Sequence, residues 1–226
     1  VGTSLVEALN LDDALIELDH KGLGSRAADA ASFYGLAREV AMLTGKSLQE
    51  LPLGKLPKAG GRGSWKIKRD GSICSYYSLL DVQGISKYDF DSNVYSKSNY
   101  RVDLYVQTET YKLDQELRHD LELLGHNVHN AMVDLGNYVS EELGQPMHVF
   151  DSEKLEGDTI TIRKAKGGET MIDLKDQELE LMEGDIVICD SEKIIALAGI
   201  IGAKSSCVDD GTKQVIIESA QFDKDQ

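Results

Sequence analysis

The chain has 226 residues, with 39 acidic against 24 basic side chains and a formal charge of −15. This length buries a core without help from metal or disulfide, in one large domain or two small ones, and the charge disfavours broad contact with a phosphate backbone. No stretch approaches the roughly 18 consecutive apolar residues that would cross a bilayer, and the first residues carry no basic-plus-apolar leader, so a soluble globular protein is expected.

The sequence opens at Val1, which suggests a processed chain or, as favoured here, a piece of something longer. "SLVEALNL" reads as a short helical turn leading into a strand, "ALIELD", where Ile16 and Leu18 alternate with Glu17 and Asp19. Between Asp29 and Thr44, Phe33, Leu36, Ala37, Val40 and Leu43 recur at helical spacing, and Gly45 supplies a stop. Residues 51–72 are rich in glycine and proline around a basic cluster of Arg62, Lys66, Lys68 and Arg69. They read as a loop with a short strand: a solvated ribbon or a small phosphate contact.

Residues 85–111 are expected to form an irregular insertion, with "YRVDLYVQTETY" alternating as a strand. Two helices follow. Leu113, Leu117, Leu121 and Leu124 stripe the first, which stops at Gly125; Met132, Leu135, Val139 and Leu143 stripe the second, which stops at Gly144. The remainder reads as strands: "MHVFD", "TITIRKA", "DIVICD", "KIIALAG" and "KQVIIESAQF". Helices first and strands later, without βαβ alternation, predict an α+β fold with mixed or antiparallel sheets.

Several residues stand out chemically. Asn137 lies about 140° around the second helix from its apolar stripe, so it either faces solvent or lines a cleft. His148 sits alone between Met147 and Val149, just after the break at Gly144-Gln145-Pro146. Alternation puts Glu218 on the same face as Ile216, Ala220 and Phe222, where a carboxylate must be satisfied by an internal donor or by one that arrives with a ligand. Gly199 and Gly202 in "ALAGIIGAKSS" permit close approach of backbone to a ligand, without the pattern of a phosphate loop or a dinucleotide site. His126 and His129 are three apart, but no thiol or acid falls in register for a metal site. Cys74, Cys189 and Cys207 form no Cys-x-x-Cys pair and neighbour no histidine, which fits a reducing compartment and gives no sign of a thiol nucleophile.

Five separated strings, "VGTSLVEALNLDDALIELD", "DAASFYGLAREVAMLTG", "VDLGNYVSEELGQPMHVFD", "ALAGIIG" and "VIIESAQFD", resemble in order the landmarks of the bacterial phenylalanyl-tRNA synthetase β subunit, at its editing domain. The resemblance implies one editing-type domain over residues 1–226, cut from a longer subunit and built as a three-layer α+β fold with two packed sheets and helices on one side. It also implies hydrolysis of tyrosine wrongly esterified to the tRNA for phenylalanine. The alternative is a catalytically silent module that only positions tRNA and packs subunits.

By position, the resemblance places His148 and Asn137 at the reacting ester and Glu218, Gly202 and Gly199 around the bound amino acid, with no metal ligand. It implies no cofactor in this domain, with ATP and magnesium at the synthetic site of an α subunit. The implied partners are that α subunit, in an α₂β₂ assembly in the cytoplasm, and the acceptor end of tRNA. Gly136, Ala203 and Lys204 stand where the family usually has threonine, glycine and an acid, and the isolated piece is expected to lack activity.

Overall fold

A computed structural model describes residues 30–51, 65–85, 110–209 and 211–223. The helical turn expected at 4–11, the strand expected at 14–19, Arg62 and all but the ends of the 85–111 insertion lie outside the described residues. Contacts divide the chain into two compact units, Val1–Leu48 and Gln49–Gln226.

In the first unit, helix α1 (Phe33–Thr44) starts where the Ser32 side chain accepts a hydrogen bond from the Gly35 N–H, and stops at Gly45 with φ 65°. Both ends follow from capping chemistry: a hydroxyl satisfies an orphan N–H, and glycine takes the left-handed turn.

The second unit is layered. One sheet has the order β1-β4-β7-β8-β9, comprising β1 (Lys66–Arg69), β4 (Thr159–Lys164), β7 (Ile186–Cys189), β8 (Ile194–Leu197) and β9 (Ile201–Gly202). Its β1–β4 pair is parallel and its other pairs are antiparallel. The second sheet, β2-β10-β3, is wholly antiparallel and joins β2 (Cys74–Gln83), β10 (Gln214–Phe222) and β3 (Met147–Asp151). Their facing sides meet in one core, where Tyr77, Phe150 and Ile216 pack with Ile160, Ile162, Ile188 and Ile195. Phe150, Ile160, Ile195 and Ile216 are fully buried, and each such side chain contributes about 1.5–3 kcal/mol by leaving water.

The outer faces are covered too. A ribbon of β5 (Thr170–Ile172) and β6 (Glu178–Glu180) brings Met171 and Leu179 against Val187 and Cys189. Behind the second sheet, Met132 of helix α3 (Ala131–Leu143) packs with Val149 and Val215. Helix α2 (Thr110–Leu123) lies beside α3 and buries Leu121 completely. Thr110 and Tyr111, expected at the end of a strand, instead begin this helix. Their local alternation is overridden by the leucine spacing that runs on from Leu113.

Gly136 lies buried inside α3, yet a methyl group added there would meet nothing within 4 Å. Gly136→Ala is therefore expected to stabilise the fold by about 0.5–1 kcal/mol, through lost backbone freedom in the unfolded chain. A urea midpoint that rises at unchanged slope is the check; a lower midpoint would mean that the space is filled.

Candidate functional site

The site begins at the break after α3. Gly144 takes φ 75° and ends the helix. The Gln145 side-chain amide then donates to the carbonyls of Pro146 and of Ala220 on β10, at 3.0 and 3.3 Å. That clamp ties the entry of β3 to β10, and strand alternation turns His148 inward alongside Phe150. The two rings meet edge to face, with centroids 4.6 Å apart at 69°.

Glu218 stands directly opposite His148 across the β10–β3 ladder, and opposite Leu79 on its other flank. Facing residues on one side of a sheet hold their Cβ atoms about 4.5–5.5 Å apart. Glu218 is only 5% exposed. Its Oε2 has no hydrogen-bond partner, and among the described residues no lysine or arginine pairs with it. A carboxylate so placed lacks the internal donor that buried polar groups ordinarily have.

Gly202 comes from β9, the edge of the facing sheet, and points into the same space. A Cβ there would lie 2.5 Å from His148 Cε1 and 2.6 Å from Nε2, so the imidazole fills the room that a side chain would need. Gly199 serves differently: it takes φ 69° in the turn between β8 and β9, where an added Cβ would meet only Phe222, at 3.8 Å. Its requirement is conformational.

His148, Glu218 and Gly202 thus share the space between the sheets. Asn137 is half-buried on α3, the helix packed beside β3, and no hydrogen bond joins it to His148. His126 Nε2 lies 2.8 Å from Glu141 Oε1, and the His129 backbone N–H donates to the buried Asp134. No group of three metal-ligating side chains occurs among the described residues.

One residue escaped the reading of the sequence. Tyr77 on β2 is 7% exposed, faces inward with Glu218, and has no hydrogen-bond partner for its hydroxyl. Nothing local marks it, because "CSYYSLLDVQ" carries apolar groups on both faces of its strand, with Tyr76 and Leu80 exposed while Tyr77 is buried, and shows no clean alternation.

Burial sets the protonation states. It pushes the Glu218 carboxyl up to about 7, partly offset by the neighbouring Tyr77 hydroxyl. Although His148 is only half-buried as a residue, its imidazole points between the sheets, and loss of solvent there drives it down to about 4. Burial holds the Tyr77 hydroxyl protonated far above its ordinary range. At neutral pH the imidazole is uncharged and the carboxyl is poised between its two forms.

These two shifts act oppositely on stability. Folded Glu218 keeps a proton that the unfolded chain releases, so its contribution falls as pH rises from 4.5 to about 7. Folded His148 refuses a proton that the unfolded chain accepts, so its contribution falls as pH drops from 6.5 to about 4. Relative to wild type, Glu218→Gln is expected to gain stability with rising pH across the first window. His148→Asn is expected to gain with falling pH across the second. Each gain reaches at most about 3 kcal/mol, read from denaturant titrations at acidic, intermediate and alkaline pH. Difference curves flat with pH would refute the assignment.

Residues 103–226, more than half of the chain, match the B3/4 domain family. The chain is 34% identical over 223 residues to the phenylalanine–tRNA ligase beta subunit of Neisseria meningitidis, covering 98% of this chain and 25% of that protein. It is 36% identical over 211 residues to the beta subunit of Solibacter usitatus, covering 93% and 24%. The chain therefore spans about a quarter of the length of these relatives. Among solved structures it is similar to an N-terminal fragment of the phenylalanyl-tRNA synthetase beta subunit of Pyrococcus horikoshii, with a TM-score of 0.46 and 17% identity over 87% of this chain and 53% of that one. The matched region carries Asn137, His148, Gly202 and Glu218 together, and the chain belongs to the B3/4 domain family.

Proposed function

We propose that the chain is the editing domain of a phenylalanyl-tRNA synthetase β subunit and, within the full-length enzyme, hydrolyses the ester of tyrosine mischarged onto the tRNA for phenylalanine. The observation that carries this reading is Glu218: a buried, unpartnered carboxylate directly across a strand pair from His148.

The chemistry follows from the limits of selection at a first site. A pocket shaped for phenylalanine cannot strongly reject an analogue that adds only a hydroxyl, discriminating by about 10² in comparable cases. A second site that hydrogen-bonds the phenol sorts better, because phenylalanine would leave its acceptor unpaired. In this reading Glu218 accepts from the phenol O–H. Uncharged His148 holds the attacking water, and Gly202 leaves room for the imidazole while its backbone borders the amino acid. Water adds to the ester carbonyl and the bond to the ribose oxygen breaks, releasing tyrosine and free tRNA. Asn137 and Gly199 border the cleft. The domain works without its own metal or nucleotide, ATP and magnesium acting at an α subunit of an α₂β₂ enzyme in the cytoplasm.

A silent module is the second reading, favoured by Ala203 and Lys204 immediately after Gly202; Lys204 pairs with Asp176. Mischarged tyrosyl-tRNA incubated with the full-length β-containing enzyme separates the two. Hydrolysis above the uncatalysed rate supports editing, and decay at that rate supports the silent module.

A further inference from the structure

Two polar atoms, not one, are left unpaired in the space between the sheets. Glu218 Oε2 and Tyr77 Oη are each without a hydrogen-bond partner, on residues more than nine-tenths buried. Register places them together: Tyr77 faces Ala220 across the β2–β10 ladder, two positions from Glu218 and on the same side. Diagonal neighbours of this kind lie within reach of an aromatic side chain. The hydroxyl is near enough to lower the carboxyl's pKa as a hydrogen-bond donor would, yet neither Tyr77 Oη nor Glu218 Oε2 reaches hydrogen-bond distance and angle with any partner. Leu79, Ala220, Phe150 and Ile216 around them are apolar, and the two polar neighbours, the His148 imidazole opposite Glu218 and the buried Cys74 thiol, make no hydrogen bond to either atom.

Buried polar atoms without partners are uncommon, and each needs a reason. One small group satisfies both of these. A hydroxyl donates one hydrogen bond and accepts others, so a phenol wedged here gives its proton to Glu218 Oε2 and accepts from Tyr77 Oη. A phenyl ring without the hydroxyl leaves both unpaired. We propose that Tyr77 is a specificity-determining residue of the site, the second hydrogen-bond partner of the 4-hydroxyphenyl group that Glu218 accepts. This rests on the editing reading and extends it: the phenol is recognised through both its proton and its oxygen.

The test variant is Tyr77→Phe, which keeps the ring and its packing. Because the lost hydroxyl has no partner in the protein, stability should be unchanged or higher; a lower unfolding midpoint would reveal an internal hydrogen bond and overturn the proposal. In the full-length β-containing synthetase, single-turnover hydrolysis of tyrosyl- and phenylalanyl-tRNA is measured for wild type, Tyr77→Phe and Glu218→Gln. The ratio of tyrosyl to phenylalanyl kcat/KM is expected to fall about tenfold in Tyr77→Phe, the worth of one neutral hydrogen bond. A ratio that falls in Glu218→Gln but not in Tyr77→Phe overturns the proposal and leaves editing intact.

Should wild type hydrolyse neither ester, the editing reading fails, and Tyr77 is judged by binding instead. Tyrosine amide is dialysed against the same proteins with the synthetic site blocked by a non-hydrolysable phenylalanyl-adenylate analogue. Weaker retention by Tyr77→Phe than by wild type supports the role. Equal retention overturns it.

Discussion

Glu218→Ala is expected to lower kcat/KM for tyrosyl-tRNA hydrolysis by about 100-fold or more, while scarcely changing the rate on phenylalanyl-tRNA. The asymmetry is the point. Glu218 faces His148 across one ladder and Leu79 across the other, and among the described residues no lysine or arginine pairs with it. On the proposed editing reading, its loss removes the hydrogen bond to the tyrosine phenol and leaves that group to be desolvated without compensation, worth roughly 3 kcal/mol when a charged partner is involved. Against phenylalanine there is no such bond to lose. Deacylation of both esters by the full-length β-containing enzyme reads the difference directly. Equal losses on both would make Glu218 a structural residue, and no loss on either would remove it from the site.

Gly202→Ala should act through His148. The new methyl would sit 2.5 Å from Cε1 and 2.6 Å from Nε2 of the imidazole, with Leu174 Cδ1 closing the other side at 3.5 Å. Backbone strain plays no part, since Gly202 does not take a left-handed φ. The ring must swing away, and overpacking of this kind costs about 1–3 kcal/mol of stability. Displacement of a positioning group by about 1 Å is enough to cost around 100-fold in rate, so tyrosyl-tRNA hydrolysis should fall by that order. A double-mutant cycle identifies the cause. In His148→Ala the obstructing ring is gone, and adding Gly202→Ala should then cost little further stability. Full additivity of the two stability losses would place the clash elsewhere.

What could be read along the chain was whatever rests on local rules. Helices α1 and α3 end at Gly45 and Gly144 as their spacing predicts, and both glycines take the left-handed conformation expected of a stop. The strands β3, β4, β7, β8 and β10 appear where apolar runs lie between turn residues. Their order after the helices led to the α+β class, and the isolation of Glu218 among apolar neighbours was visible from alternation within β10. Less legible were β2, β5, β6 and β9. The ribbon strands and β9 are too short to show a period, and β2 exposes the apolar Tyr76 and Leu80 on the face opposite Tyr77 and Leu79, which blurs the alternation expected of a half-buried strand. The strand expected to reach Tyr111 gave way to α2, because helical packing of the downstream leucines outweighs a few alternating residues.

Residue types, spacing and capping chemistry were enough to name His148, Glu218 and Gly202 one at a time, each as an anomaly in its own stretch. Bringing them together was the work of strand register and sheet stacking. His148 faces Glu218 because β3 and β10 pair in one particular alignment, and a slip of one residue would turn every side chain of β3 to the other face. Gly202 meets the imidazole because β9 edges the sheet stacked against that pair. Tyr77 joins them through β2, more than 130 positions earlier in the chain than Glu218. Pairings over such separations depend on which surfaces bury one another, and no local periodicity carries that information.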